Sequence, residues 1–350
     1  NINSPTQLRE ILFEEKKLAP GKKTKTGFST DAATLEKIRD QWPEFIDPLL
    51  EYREFEKLRS TYGQGLVDSV GADGRIHATF NQTVARTGRL SSDAPNLHNI
   101  PIRSEEGKVF RTAFVPREGC TFMVADYNQI ELRCIAHLAN DPGLIDAFTR
   151  GIDIHSATAA RVFGVDSASV TSDMRSQAKM ISYGLAYGME AFGLSQRLGV
   201  GVGQAGEILD AYFAAFPNVK QYMDDTIEEA RTKGYTETLF GRRRQIAELN
   251  NPNFRIRQAG ERQAMNAGIQ GLAADIFKIA LVRIDAAIDK AKLQSAVILQ
   301  VHDEVIVECP TSERDKVNAI VLHEMKNAAV LKVPLEVNAA WGDSWASAKA

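Results

Sequence analysis

Cysteine is scarce. The three residues, Cys120, Cys134 and Cys309, form no CxxC pair and are odd in number. That excludes a disulfide framework and a cysteine zinc site, and it fits a reducing, cytoplasmic setting. Long apolar runs are missing too: none approaches the ~20 residues that a membrane-spanning helix needs. There is no surplus of positive charge, since 42 Lys and Arg stand against 45 Asp and Glu, a formal net charge of −3. Nucleic-acid binders usually carry a basic footprint, so this balance argues against that class. Net charge sums over the whole surface, however, and basic residues still cluster at Lys22-Lys23-x-Lys25, at Arg242-Arg243-Arg244 and from Arg255 to Arg262. For each cluster alone a solvated face is the expectation. The first residue is Asn1, inside polar helix-like sequence, so a piece of a longer chain is expected.

What is present is an ordinary globular composition, 44% hydrophobic and 25% charged over 350 residues. That length allows about two or three subdomains around a substantial core. Residues 1 to 62 show helical spacing, with a polar loop from Lys22 to Gly27. Arg75 to Phe80 alternates like a strand after the turn Gly71-Ala72-Asp73-Gly74. Residues 87–103 are rich in Gly, Pro, Ser and Asn yet apolar enough for an ordered loop, one that can hold Arg89 and its asparagines toward a ligand. Phe122 to Asp126 reads as a buried strand running into a helix. From Arg133 to Gly260 the pattern is mainly helical, and Glu261 to Asp285 predicts one long helix. Two strands, 296–301 and 304–309, flank His302-Asp303 as a two-residue hairpin. Ser312 to Leu331 predicts a helix and residues 334–338 a last strand. Strands early, helices in the middle and strands again at the end describe a sheet domain with a helical insertion.

Three constellations bear on chemistry. Asp126 ends a strand, where it is either a helix cap or a carboxylate at the rim of a sheet. Asp303 sits at the hairpin tip, where turn chemistry is the simpler account. Two such acids on neighbouring strands can bridge two divalent cations ~3.5–4 Å apart for displacement at phosphorus. Hard oxygen ligands favour magnesium. Second, Arg175, Lys179, Tyr183 and Tyr187 recur every four residues, ~40° apart around a helix. They make one stripe, two cations for a polyphosphate and two rings for a sugar and base, or else an ordinary amphipathic face. Third, Arg262, Asn266 and Gln270 share a helix face and can donate to acceptors common to all base pairs in the minor groove.

Together these motifs resemble the family A DNA polymerases, the DNA polymerase I type, over nearly the whole chain. Asp126-Tyr127-Asn128-Gln129-Ile130-Glu131-Leu132-Arg133 resembles motif A, Arg175 to Gly188 motif B, and His302-Asp303-Glu304 motif C. Thr87 to Ser92 and Pro95 to Arg103 resemble the segment that meets the primer-template duplex. The resemblance implies an α+β right-hand polymerase with an antiparallel palm sheet, a helical fingers insertion and a partial helical thumb. Its expected division is 1–45 partial thumb, 46–133 first part of the palm, 134–260 fingers and 261–350 second part of the palm. It implies that Asp126, the Tyr127 carbonyl and Asp303 hold two Mg²⁺ ions, for which Mn²⁺ can substitute, with Glu304 as a further catalytic acid. Arg175, Lys179 and His155 would face the triphosphate, with Lys179 also protonating the leaving pyrophosphate. Gln129, Glu131, Tyr183 and Tyr187 would complete the dNTP site, Glu131 excluding ribonucleotides. Arg89, Asn96, Asn99, Arg262, Asn266, Gln270 and His302 would contact primer-template DNA. A bacterial, nucleoid-associated, monomeric enzyme with no membrane partner is expected.

Three positions depart from the family pattern. Asn128 stands for the usual Ser, His98 for the usual Gln, and Tyr183 for the Phe of many bacterial members, as in replicative phage enzymes that accept dideoxynucleotides. A single-subunit RNA polymerase would share the acids and the cationic helix but not Glu131 or the 261–270 stripe. A two-metal nuclease would not need the triphosphate stripe. An inactive DNA-binding module would be expected to have lost Asp126, Lys179 or Asp303.

Overall fold

The computed structural model describes residues 1–19, 21, 23–25, 27–101, 105–186 and 188–349. They form two compact units, residues 1–78 with 100–110 and residues 79–99 with 111–350. Helices predominate in the first, as its spacing predicts. Ser4 and Asp31 cap the helices Pro5–Arg9 and Ala32–Lys37, accepting from the amides of Gln7 and Thr34. Pro43 opens the helix Pro43–Lys57, a position where its missing N–H costs nothing. Leu8, Leu12, Leu35, Ile38, Ile46 and Leu49 form the core of this unit. It also holds a short ladder, β1 (Lys23–Thr24) with β2 (Gly27–Phe28). The strand predicted over 75–80 is cut short. After the turn at Gly71 to Gly74, Ile76 bridges back to Val70, and ladder pairing resumes only at Thr79 in the second unit.

There β3 (Thr79–Asn81) pairs with β4 (Ser91–Asp93). The predicted irregular loop therefore contains a strand and the turn Leu97–Asn99; its last residues, Ile102 and Arg103, lie outside the described residues. The remaining strands are β5 (Cys120–Tyr127), β6 (Tyr235–Glu237), β7 (Arg243–Gln245), β8 (Ala296–Val301), β9 (Glu304–Pro310) and β10 (Val337–Gly342). Four of them make an antiparallel sheet in the order β10-β5-β9-β8. The last strand starts three residues later than predicted, because Val337 pairs with Tyr127 and Gly342 with Phe122.

A run of helices from Ile130–Ala139 to Pro217–Lys233 separates β5 from β6. The hairpin β6–β7 interrupts the stretch predicted as helical. Gly234 at φ +77° ends the preceding helix and Gly241 at φ +79° makes the turn, conformations that glycine adopts without penalty. The long helix is Phe254–Lys290, longer than predicted, and every residue from Ala267 to Phe277 is buried. The helix predicted over 312–331 is Arg314–Lys326. Met123, Ala125 and Tyr127 of β5 alternate onto the same core as Ile269, Leu272 and Ile276. Each large apolar side chain buried there contributes about 1.5–3 kcal/mol. Strand periodicity turns Asp126 to the opposite face. Among the described residues no helix is long and apolar enough to cross a membrane.

Candidate active site

Three elements converge on one cleft of ≈ 340 Å³. The first is the end of β5. Tyr127 N–H donates to the Asp303 carbonyl at 3.2 Å and Asn128 N–H to the Glu336 carbonyl at 2.9 Å. Gln129, at φ +56°, then turns the chain into the helix Ile130–Ala139. Asp126, Tyr127, Gln129 and Glu131 all line the cleft. The second element is the β8–β9 hairpin, which brings Asp303 to the same wall. Its turn residue His302 has φ +55° and is braced from both sides. The Gln300 amide donates to the His302 carbonyl, and the His98 ring lies 5.6 Å from the His302 ring. His98 Nε2 in turn meets the Gln300 carbonyl at 2.9 Å. The predicted pair of strand-tip carboxylates is therefore present.

The third element is the helix Ser172–Ala186, whose Arg175, Lys179 and Tyr183 face the cleft as the four-residue spacing predicts. Tyr187, the next residue of that stripe, lies outside the described residues. His155 joins from the helix Ile154–Phe163, its ring 5.7 Å from that of Tyr183. His155 is 2% exposed, and its Nδ1 has no hydrogen-bond partner among the described residues. Burial, with help from the Lys179 and Arg175 charges, lowers its pKa to about 4.

The electrostatics divide the cleft in two. Burial raises the Asp126 carboxyl to about 7, and the nearby Glu304 and Asp303 charges add to the effect. Asp303 is also raised by burial, against an opposing pull from Arg89. Arg89 Nη2 donates to Glu131 Oε1 at 2.9 Å and to Asp303 Oδ1 at 3.4 Å. On the far wall Arg175 is paired with the carboxylate of Asp153. Asp153 accepts from Arg175 Nε and from the Ser156 hydroxyl, each at 2.6 Å. Burial pushes its carboxyl up, but those bonds outweigh it and hold it at about 2. Crowded carboxylates with too little positive charge on one side, and cations on the other, suit hard dications beside a polyphosphate. Among the described residues no group of three or more His, Cys, Asp and Glu is placed to hold a metal ion.

Not every predicted residue reaches the cleft. Glu304 pairs with Asp126 in the β5–β9 register, yet its carboxylate is 5% exposed and turned to other partners. It accepts from Trp345 Nε1 at 2.8 Å and from Lys349 Nζ at 3.4 Å. Arg262 is held by Glu190 at 3.1 Å, Asn266 is half-buried, and Gln270 is buried at 8% exposure. Asn96 and Asn99 are exposed at the turn Leu97–Asn99. Sequence reasoning missed Asn338, which pairs with Asp126 across β10 and lines the cleft. It also missed Asp153, whose only visible signal was that of a helix cap.

The sequence matches the family described as DNA polymerase family A over residues 1–347. DNA polymerase I of Mycobacterium tuberculosis (strain ATCC 25618 / H37Rv) is 49% identical over 350 residues, covering 99% of this chain and 39% of that protein. DNA polymerase I of Geobacillus stearothermophilus is 47% identical, covering 100% of this chain and 40% of that protein. The chain thus spans about two fifths of the length of these curated relatives. Among solved structures, the POL domain of Pol1 from M. smegmatis, in complex with DNA primer-template and dNTP, superposes with a TM-score of 0.94 at 47% identity. That match covers 99% of this chain and 62% of the other.

Proposed function

Because the chain belongs to DNA polymerase family A, we propose that it carries out template-directed DNA synthesis, adding deoxynucleotides to a primer 3′ end and releasing pyrophosphate. The observation that supports this most directly is the single cleft in which Asp126 and Asp303 face Arg175, Lys179, His155 and Tyr183. Asp126 and Asp303 would hold two Mg²⁺ ions with the Tyr127 carbonyl. When bound, these ions supply Lewis-acid polarisation of the phosphoryl oxygens and of the attacking hydroxyl. Arg175 and Lys179 would bind the triphosphate, Arg175 by exchanging the Asp153 carboxylate for phosphate oxygens. Lys179 would deliver a proton to the leaving pyrophosphate. Neutral His155 offers its ring nitrogen as a donor to phosphate without adding charge. Glu131, buried at the cleft, would lie against the sugar and reject a 2′-hydroxyl, and Tyr183 would meet the 3′ side. Arg89, Asn96, Asn99, Arg262, Asn266, Gln270 and His302 would contact the duplex.

In this scheme residues 1–45 act as partial thumb, 46–133 and 261–350 as palm, and 134–260 as fingers. A nuclease would have no use for the Arg175–Lys179 stripe, and a single-subunit RNA polymerase would have none for a buried Glu131 beside the sugar. The test is extension of a labelled primer-template with Mg²⁺ and each dNTP supplied singly, with rNTPs as control. Template-matched dNTP addition is expected, and Asp126→Ala and Asp303→Ala should each abolish it while retaining duplex affinity. Wild-type rates in either variant, or untemplated addition, would overturn the proposal.

A further inference from the structure

Of the three consecutive arginines at 242–244, one is exposed and two are half-buried. Arg243 is exposed and pairs with Glu237, and Arg244 donates to Gln263 at 2.9 Å. Arg242 turns inward. Its Nε donates to Asp275 Oδ1 at 2.7 Å, and the other oxygen of Asp275 accepts from the Thr238 hydroxyl at 2.6 Å. Asp275 is 9% exposed, on the fully buried stretch of the long helix. A buried carboxylate of this kind is retained at a cost in desolvation, so its fixed geometry invites an explanation.

That geometry aims the guanidinium at two backbone sites. Arg242 Nη2 donates to the Thr87 carbonyl and to the Gly271 carbonyl, both at 3.0 Å. Gly88 follows Thr87 at φ +85°, and a Cβ there would lie 2.4 Å from the guanidinium carbon. A Cβ at Gly271 would lie 3.0 Å from Nη2. Both glycines therefore permit the arginine its seat. The residue after Gly88 is Arg89, which reaches Glu131 and Asp303, and the residue before Gly271 is Gln270.

We infer that Arg242, oriented by Asp275, is a positioning residue: it pins the Thr87–Gly88 loop to the helix turn at Gly271 and so sets where Arg89 meets the active-site carboxylates and the primer terminus. Arg242 does not itself touch the cleft, and the inference rests on the duplex-contact role proposed for Arg89. Lysine at this position would keep the charge but not the planar fork that reaches Asp275, Thr87 and Gly271 together.

The test is a double-mutant cycle. Primer-template affinity and single-turnover extension rate are measured for wild type, Arg242→Lys, Arg89→Ala and the double variant, with matched and 3′-mismatched primers. Arg242→Lys should lower extension efficiency on matched primers about tenfold, and the double variant should lie within about twofold of Arg89→Ala alone, as expected for coupled residues. A wild-type Arg242→Lys, or losses that multiply in the double variant, would overturn the inference while leaving the polymerase reading intact. If Arg89→Ala alone changes neither affinity nor rate, the role of Arg89 fails, and the inference with it. Should Arg242→Lys melt far below wild type, Asp275→Asn takes its place in the cycle, because it loosens the hold on the guanidinium while leaving Arg242 and the Thr87–Gly88 loop unaltered.

Discussion

His155 shows most plainly how one side chain couples the cleft to solution conditions. In the unfolded chain it titrates near 6.5, and in the folded protein near 4. Between those values the unfolded state binds the extra proton, so this stabilising contribution is complete above 6.5 and is lost as pH falls toward 4. At about pH 5 the loss amounts to roughly 2 kcal/mol. His155→Gln should therefore show a smaller drop in melting temperature between about pH 7 and pH 5 than wild type, measured by calorimetry. An equal drop would mean that His155 is not buried neutral. The same burial explains why sequence spacing could not identify its role. His155 and Asp153 both read as residues at a helix start. Only packing against Tyr183, and the 2.6 Å bond that Asp153 accepts from Arg175, bring them to the wall of the cleft that carries Arg175 and Lys179.

At the level of elements, β9 separates two acids that stand side by side in sequence. Asp303 belongs to the turn and reaches the cleft, while Glu304 starts the strand and is committed to Trp345 and Lys349. The expected motif made both catalytic. In the proposed function Glu304 would act as an outer support, since it pairs with Asp126 in register and adds to its negative field. Glu304→Gln should accordingly cost about tenfold in extension rate, as loss of an outer-shell partner does, and not abolish it. Steady-state primer extension beside Asp303→Ala checks this, and equal loss in the two variants would return Glu304 to the catalytic set. The elements themselves were unevenly legible. The strand at 120–127, the His302-Asp303 hairpin and the long helix follow from runs of apolar residues with clear period. The β6–β7 hairpin did not, because three-residue strands carry too little alternation to stand out from a helical neighbourhood.

For the whole molecule the net charge of −3 is a poor guide. In the proposed function, duplex affinity would depend on the local set of Arg89, Arg262 and the lysines and arginines around them, each of which would release counterions on meeting a phosphate. Affinity for primer-template should therefore fall as salt rises, by about 0.9 decades per decade of salt for each phosphate neutralised. Fluorescence anisotropy across a salt series measures the slope, and a flat line would contradict a duplex-binding role. Residue order alone was enough to mark Asp126, Asp303 and the stripe from Arg175 as candidates, and to carry their resemblance to a family, because each depends on local period and spacing. Pairings between distant residues were beyond it. Arg242 with Asp275 and Thr87, Glu304 with Trp345, and Asn338 opposite Asp126 depend on strand register and on which faces are buried. Those follow from packing of the whole chain, so an arginine that looked solvated in sequence lies against the loop that carries Arg89.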